Sequence, residues 1–420
     1  MDFAMAMNYI EEKNKLGSVP GLSFVTELLE RLGNPQDKCR CLHIAGTNGK
    51  GSIFSFVQET LLEAGYKVGR YISPTVFSYL ERFQINKMNM SEECFAEILT
   101  RVSEKVEDMV NEGIGSPTAF EIETAIAFLY FSEQEVDYAL IECGMGGRLD
   151  ATNVIKNPVA SVIAQISMDH MQFLGDSLEK IATEKSGIVK EHCPCVLAPQ
   201  DMMVYNVFDS VCKAVNSELI SFDMKDVDII EMDISGTIFG YRDEQYKINM
   251  LGEHQVVNAV TAIETLRFLP GIDNQVIKAG LEKTAWPGRL TKVRENPYIF
   301  VDGAHNEAAW DALKKAVNKY FTNRRIIYII GVLRDKEYHK MVDILRDTMS
   351  YVIAITPDSP RALDKEELAQ VLSNNNIPVT TAEDSGEALN KAMDEALSIG
   401  FDNTVILVCG SLSFISEYLV

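Results

Sequence analysis

Seven consecutive residues, Gly46-Thr47-Asn48-Gly49-Lys50-Gly51-Ser52, carry the clearest chemistry in this chain. They follow an apolar run ending Leu42-His43-Ile44-Ala45 and lead into a helix-like run over 53–64. Glycines let backbone N–H groups turn onto phosphate oxygens, the new helix offers its positive end, and Lys50 adds a mobile point charge. The pattern predicts binding of ATP or a relative, against the plainer reading of a tight turn that holds a lysine. It departs from G-x-x-x-x-G-K-[ST], because the opening glycine is displaced at Ala45-Gly46 and Gly51 follows the lysine without a hydroxyl for Mg²⁺. Ser52 comes one position late, so Mg²⁺ ligands are expected partly from elsewhere in the chain.

The elements that must position this loop alternate between strand and helix. Short strands are predicted over 67–72, 136–142 and 159–166, and helices over 92–107 (apolar stripe Phe95, Ile98, Leu99, Val102) and 120–131. Buried strands separated by helices imply a parallel sheet, which binds ligands at the carboxyl ends of its strands. The polar residues just past each predicted strand are Ser73-Pro74, Glu142, Asp169-His170, Asp302 and Asp335. Among these, the Ser73 hydroxyl, the Glu142 carboxylate and the His170 imidazole could meet a metal on a nucleotide held by Lys50. The competing readings are a turn serine, a surface acid at a strand end and a satisfied structural histidine. Glu142 runs into Cys143-Gly144-Met145-Gly146-Gly147-Arg148-Leu149-Asp150-Ala151-Thr152-Asn153, either a ligand loop or a plain turn with an ion pair.

At 420 residues the chain implies about two to three domains. Its 46% hydrophobic and 24% charged residues are those of a soluble globular protein. A net charge of −22 argues against a nucleic-acid partner, so an anionic substrate needs local cations, with Lys50, Arg82, Arg148, Lys185 and Arg289 as candidates. The eight cysteines lack paired zinc-ligand spacing, which favours buried thiols in a reducing cytoplasm. The N-terminus does not read as a signal peptide, and no run approaches the roughly 18 apolar residues of a membrane span.

Between 219 and 250 the pattern changes to short mixed alternation with turn residues, predicting antiparallel hairpins at 228–234 and 236–241. A helix over 255–268 and a linker at Trp286-Pro287-Gly288-Arg289-Leu290 follow. A second alternating unit has strands at 298–301, 325–330, 351–355 and 404–408, with helices at 308–320 and 338–345. The fold class expected is α/β. A phosphate-loop, doubly wound, mainly parallel sheet with a small antiparallel subdomain occupies 1–289, and a smaller Rossmann-like α/β domain occupies 290–420.

Taken in order, these motifs resemble the folylpolyglutamate synthase/dihydrofolate synthase family, within the ATP-dependent muramyl-type amide ligases. The resemblance rests on residues 43–52, Ser73-Pro74, 81–86, 141–153, 168–170, 184–190, 252–258, 286–290, 302–306 and 410–412, over nearly the whole chain. It implies that Asn48, Gly49, Lys50, Gly51 and Ser52 hold the triphosphate, and that Asn258, Arg289 and Asp302 contact the nucleotide, clamped between domains. It implies two Mg²⁺ ions on Ser73, Glu142 and His170, a carbamylated Lys185 supporting the second, and a monovalent cation. Lys50, His170 and Lys185 would be the catalytic residues. Arg82, Arg148, Leu149, Asp150, His305, Asn306 and Ser411 would bind substrate, the last three at the glutamate end. Asn258 lies opposite the stripe Val256, Val260, Ile263 of its helix, so its plainer reading is a solvated surface residue. For Lys185 the plainer reading is an unmodified salt-bridge lysine. Thr75 and Ser186 depart from the family pattern, where histidine or phenylalanine and alanine are usual.

The implied reaction phosphorylates a folate or dihydropteroate carboxylate with ATP and passes the acyl group to L-glutamate, in a cytoplasmic monomer with small-molecule partners only. The competing readings are a muramyl peptide ligase, a regulatory P-loop ATPase and a soluble kinase. Only 45 residues precede the phosphate loop, fewer than the additional UDP-sugar domain of the first would need.

Overall fold

The computed structural model describes every residue except 16, 18–20, 170 and 420, and the chain divides into two compact units. The first comprises 1–226 and 257–281, the second 227–256 and 282–420.

Among the described residues the first unit holds an eight-stranded sheet. Its strands are β1 (Cys41–Ala45), β2 (Val68–Tyr71), β3 (Phe83–Ile85), β4 (Met88–Asn89), β5 (Tyr138–Glu142), β6 (Ala160–Ile163), β7 (Cys195–Leu197) and β8 (Leu219–Ser221). They run in the order β4-β3-β2-β5-β1-β6-β7-β8, parallel from β2 to β8, with β3 and β4 adding an antiparallel edge. Strands β1 and β5 are buried along their whole length, as a central parallel position demands of an uninterrupted apolar run. The order reverses at β1, so the ends of β1, β5 and β6 converge where open α/β sheets bind ligands. Helix Ala119–Glu133 is buried nearly all round. Its start is fixed by a capping box in which the Glu121 carboxylate accepts from the Thr118 N–H at 2.8 Å.

The second unit opens with an antiparallel sheet of β9 (Val227–Asp233), β10 (Gly236–Tyr241) and β11 (Glu244–Ile248). Arg242 and Asp243, both at positive φ (49° and 64°), make the two-residue turn that matches strand twist. Six further strands follow: β12 (Thr291–Glu295), β13 (Tyr298–Asp302), β14 (Arg325–Ile330), β15 (Met349–Ala354), β16 (Val379–Thr381) and β17 (Thr404–Cys409). Their order is β12-β13-β17-β14-β15-β16, parallel except for β12. Insertion of β17 between β13 and β14 sets Cys409 in register with Asp302, so residues past both strands meet at one end of the sheet.

The sequence missed the helices Phe3–Asn14, Ser23–Arg31, Leu178–Ser186, Met202–Ala214, Asn274–Lys283, Lys365–Asn374 and Ser385–Ile399, along with β3, β4, β7, β8, β11, β12 and β16. The missed strands are two to five residues long, too short for an alternation pattern to register.

Candidate active site

The loop between β1 and helix Lys50–Glu63 is pinned by its neighbour across the sheet. Thr47 and Asn48 donate their N–H groups to the Gln165 carbonyl at 2.9 and 3.2 Å, and the Asn48 amide reaches the Ser167 hydroxyl at 3.2 Å. Gly49 stands at φ +94°, and a side chain there would run into the amide of Asn258. Asn258 is therefore packed on the phosphate loop. It is only 4% exposed, which overturns the solvated-surface reading of that residue. Ser52 is buried in the first turn of the helix.

Three charged side chains converge on the start of this loop. The Lys50 ammonium donates to the carbonyls of Gly46 (3.2 Å) and Thr47 (3.4 Å) and lies 3.6 Å from Glu142 Oε1. Glu142 ends β5, in register with Ile44 of β1, and is buried rather than a surface acid. Lys185, in the last turn of helix Leu178–Ser186, is 5% exposed and donates to the Gly46 carbonyl at 2.8 Å. Burial, and then the nearby charge of Lys50, lower its pKa to about 8, with Asp169 among the carboxylates that oppose the shift. At that pKa about a tenth of Lys185 is neutral at pH 7.

Ser73 lies two residues past β2 and is half-buried. His170 lies outside the described residues. Among the described residues no group of three or more His, Cys, Asp or Glu side chains stands ready to hold a metal. What the site offers is one buried carboxylate and a hydroxyl, hard oxygen donors. That set suits Mg²⁺, which keeps waters and takes few protein ligands beside phosphate oxygens, so the donors fit a metal arriving with a nucleotide.

The anticipated substrate residues of the first unit are internally engaged. Arg82 pairs with the buried Glu123, stacks over the Tyr79 ring (4.5 Å), and shares Glu123 with the Tyr79 hydroxyl at 2.8 Å. Arg148 is exposed and pairs with Glu184 at 2.9 Å, and its N–H binds the Glu184 carbonyl at 2.7 Å. Leu149 is half-buried beside it. The Asp150 carboxylate accepts from the N–H groups of Met145 (2.8 Å) and Thr152 (3.0 Å) and from the Thr152 hydroxyl (2.6 Å). It thereby shapes the loop past β5.

In the second unit, Asp302 ends β13 and accepts from the N–H groups of Leu290 (2.7 Å) and Ala304 (2.8 Å). Enclosure of its carboxyl raises its pKa, while the charge of Arg289 pulls it down. The segment expected as a linker is thus tied to Asp302, and Gly303 N–H also binds the Gly288 carbonyl at 2.8 Å. Burial, and then Arg289, depress His254 to a pKa of about 4. His305 Nδ1 lies 2.7 Å from the Gly303 carbonyl, and Asn306 caps helix Glu307–Tyr320 through the Ala309 N–H at 2.9 Å. Ser411 is buried two residues past β17, the strand paired with β13. Asp335 instead forms an exposed pair with Arg361.

Sequence reasoning missed Gln165 and Ser167, which fasten the phosphate loop, and Glu123, which neutralises Arg82. The first two were open to the strand-end rule, because both follow β6. Glu123 carried no signal, being one of three acids in a mostly apolar helix.

The family description "Mur ligase middle domain" matches residues 44–266, and "Mur ligase, glutamate ligase domain" matches residues 288–412. A dihydrofolate synthase/folylpolyglutamate synthase of Bacillus subtilis is 34% identical, covering 98% of this chain and 97% of that protein. The structure of Mycobacterium tuberculosis folylpolyglutamate synthase complexed with ADP matches with a TM-score of 0.89 at 29% identity, over 99% of this chain and 98% of that one. Escherichia coli FolC in complex with DHPP and ADP matches with a TM-score of 0.87 at 26% identity, over 100% and 97% of the two chains.

Proposed function

This chain belongs to the folylpolyglutamate synthase/dihydrofolate synthase family of Mur ligases, and from that premise we propose that it joins L-glutamate to tetrahydrofolate, with dihydropteroate as a second acceptor. ATP drives the ligation and leaves as ADP and phosphate. The observation that carries this reading is the meeting of Lys50, Lys185 and Glu142 at the Gly46 peptide, on the ends of adjacent strands β1 and β5. That is where a transferring phosphoryl group would sit, and a kinase or muramyl reading has no comparable support from the relatives.

A carboxylate is a poor acyl donor because oxide is a poor leaving group. Phosphorylation by ATP turns it into an acyl phosphate, the glutamate amine attacks the acyl carbon, and phosphate departs with the C–O bond electrons. We assign Asn48, Gly49, Lys50, Gly51, Ser52 and Asn258 to the nucleotide phosphates, and Arg289 and Asp302 to the rest of the nucleotide. Lys50 moves from Glu142 onto the phosphoryl oxygens as charge builds there. Ser73, Glu142 and His170 would hold Mg²⁺, two ions in this reading, which when bound supplies charge neutralisation at the phosphates. Lys185 is assigned as a carbamate. Its neutral amine would form an N–C bond to CO₂ and release a proton, giving an anion that would support the second ion, and its depressed pKa supports this. A monovalent cation belongs to the same proposal without an assigned residue. Arg82, Arg148, Leu149 and Asp150 line the acceptor side, and His305, Asn306 and Ser411 face glutamate. The functional division is 1–289 for ATP and 290–420 for glutamate. All eight cysteines are free and six are buried, in keeping with a cytoplasmic protein, and we assign a monomer. No helix among the described residues is long and apolar enough to cross a membrane.

The test is phosphate release with ATP, Mg²⁺ and L-glutamate, using tetrahydrofolate, dihydropteroate and a UDP-muramyl peptide side by side, with mass analysis of products. A folate heavier by one glutamyl residue is expected. Phosphate release independent of every acceptor would overturn the reading.

A further inference from the structure

A buried chain of polar groups runs from strand β1 into the loop past β5. His43 is fully buried, with Nε2 2.8 Å from Thr152 Oγ1. The Thr152 hydroxyl donates to Asp150 Oδ1 at 2.6 Å, and Asp150 Oδ2 accepts the Met145 N–H at 2.8 Å. With the threonine proton committed to a carboxylate, its oxygen accepts, which assigns the Nε2–H tautomer to His43. His43 Nδ1 has no hydrogen-bond partner among the described residues. A bare lone pair is the less costly end of the ring to leave so, because no N–H donor is stranded. Cys143 Sγ, 3.1 Å from Nε2, closes the cluster.

The relay starts on the strand that carries the phosphate loop and leads into residues 143–153. The far end of that loop is held independently, by Arg148 N–H on the Glu184 carbonyl (2.7 Å) and by the Asn153 amide on the carbonyls of Arg148 (3.0 Å) and Gly187 (3.1 Å). The near end hangs on Asp150 and Thr152, and through them on His43. Burial keeps the imidazole neutral, with a pKa of about 3, so the link does not switch in the working pH range.

We propose that His43 is a positioning residue for the acceptor substrate: through Thr152 it fixes Asp150 and the near end of the 143–153 loop on β1, and so sets Asp150 for the folate-type acceptor. The acceptor half of this statement rests on the ligase reading above, while the fixing of the loop does not. An ordinary buried contact would affect stability alone. A positioning contact separates the two substrates, because the phosphate loop is fastened instead through Gln165 and Ser167.

The experiment compares His43→Leu, His43→Gln, Thr152→Val, Thr152→Ser and the His43→Leu/Thr152→Val double variant in the full chain. It measures KM for the pterin acceptor and for MgATP separately, together with amide hydrogen exchange over 143–153. Loss of one buried link is expected to raise the acceptor KM about tenfold, leave the MgATP KM within about twofold, and speed exchange in the loop. His43→Gln, which returns an N–H near Nε2, and Thr152→Ser should recover most of this, and the double variant should be no worse than either single one. Should His43→Leu fail to fold, the valine and serine variants of Thr152 carry the same comparison. Equal loss for both substrates in step with melting temperature, or unchanged acceptor KM and loop exchange, would overturn the proposal. A wild-type chain that makes no glutamyl product sinks the ligase reading instead, and exchange alone then decides whether the relay fixes the loop.

Discussion

Replacing Lys185 with methionine should make the first unit more stable while abolishing turnover. The folded state holds this lysine at a pKa of about 8, against an ordinary 10.5, because burial and then Lys50 disfavour its charge. At about 1.4 kcal/mol per pH unit, protonated Lys185 costs about 3 kcal/mol below pH 8. The sign follows from proton counts: between pH 8 and 10.5 the unfolded chain binds the proton and the folded chain does not, so stability rises with pH across that window. Methionine keeps most of the length of the side chain and removes the charge. It gives up the 2.8 Å bond to the Gly46 carbonyl, worth about 1 kcal/mol, but that carbonyl keeps Lys50. The net gain near pH 7 is about 2 kcal/mol, or roughly 4–8 °C in the melting temperature of a unit this size. Thermal unfolding of both proteins from pH 7 to pH 10.5, in CO₂-free buffer, measures it. The gap should close as pH rises, and glutamyl transfer should fall at least about a hundredfold. No gap, or one of equal size at both ends of the range, would refute the reasoning.

Glu142→Gln keeps the shape at the end of β5 but removes the charge opposite Lys50; turnover should drop about 10²–10³-fold with a weakened Mg²⁺ dependence, read from a Mg²⁺ titration of kcat. Gly49→Ala places a methyl group against the Asn258 amide at a positive φ, so the MgATP KM should rise at least about tenfold, checked by steady-state kinetics and direct nucleotide binding. Glu123→Leu strands the half-buried Arg82 charge and should destabilise the first unit by about 1–3 kcal/mol in urea unfolding, with much of the loss recovered when Arg82→Leu is added.

The parts of this fold that the sequence made legible are those with a strong local signature. The buried runs of β1 and β5, the glycine loop with Lys50, and the hairpin of β9 and β10 each follow from chemistry within a few residues. Glu142 was legible because a strand end in a parallel sheet is a defined place. Asn258 was only half legible: its position opposite the apolar stripe suggested solvent, whereas Gly49, some two hundred residues away in sequence, gives it a packed surface. The same holds for Arg82 and Arg148. Their positive charge was evident from sequence, but Glu123 and Glu184, which already answer it, reach them only through the tertiary fold.

That last point changes how an anionic substrate must be held in a chain of net charge −22. A free cation attracts at long range, and salt screens that attraction. Here four of the five cations expected to meet anions start in partnership: Lys50 with Glu142, Arg82 with Glu123, Arg148 with Glu184 and Arg289 beside Asp302. Binding of a triphosphate therefore exchanges one anion for another rather than filling a bare positive site, and the displaced carboxylate must find a new counter-charge. For Glu142 a divalent metal is the natural replacement, since the acid is too buried for water alone to satisfy it. Nucleotide affinity should then depend steeply on Mg²⁺ and only weakly on monovalent salt. Titrating ATP binding against each separately tests this, and a steep loss with sodium chloride at fixed Mg²⁺ would show that free cations, not exchanged pairs, hold the phosphates.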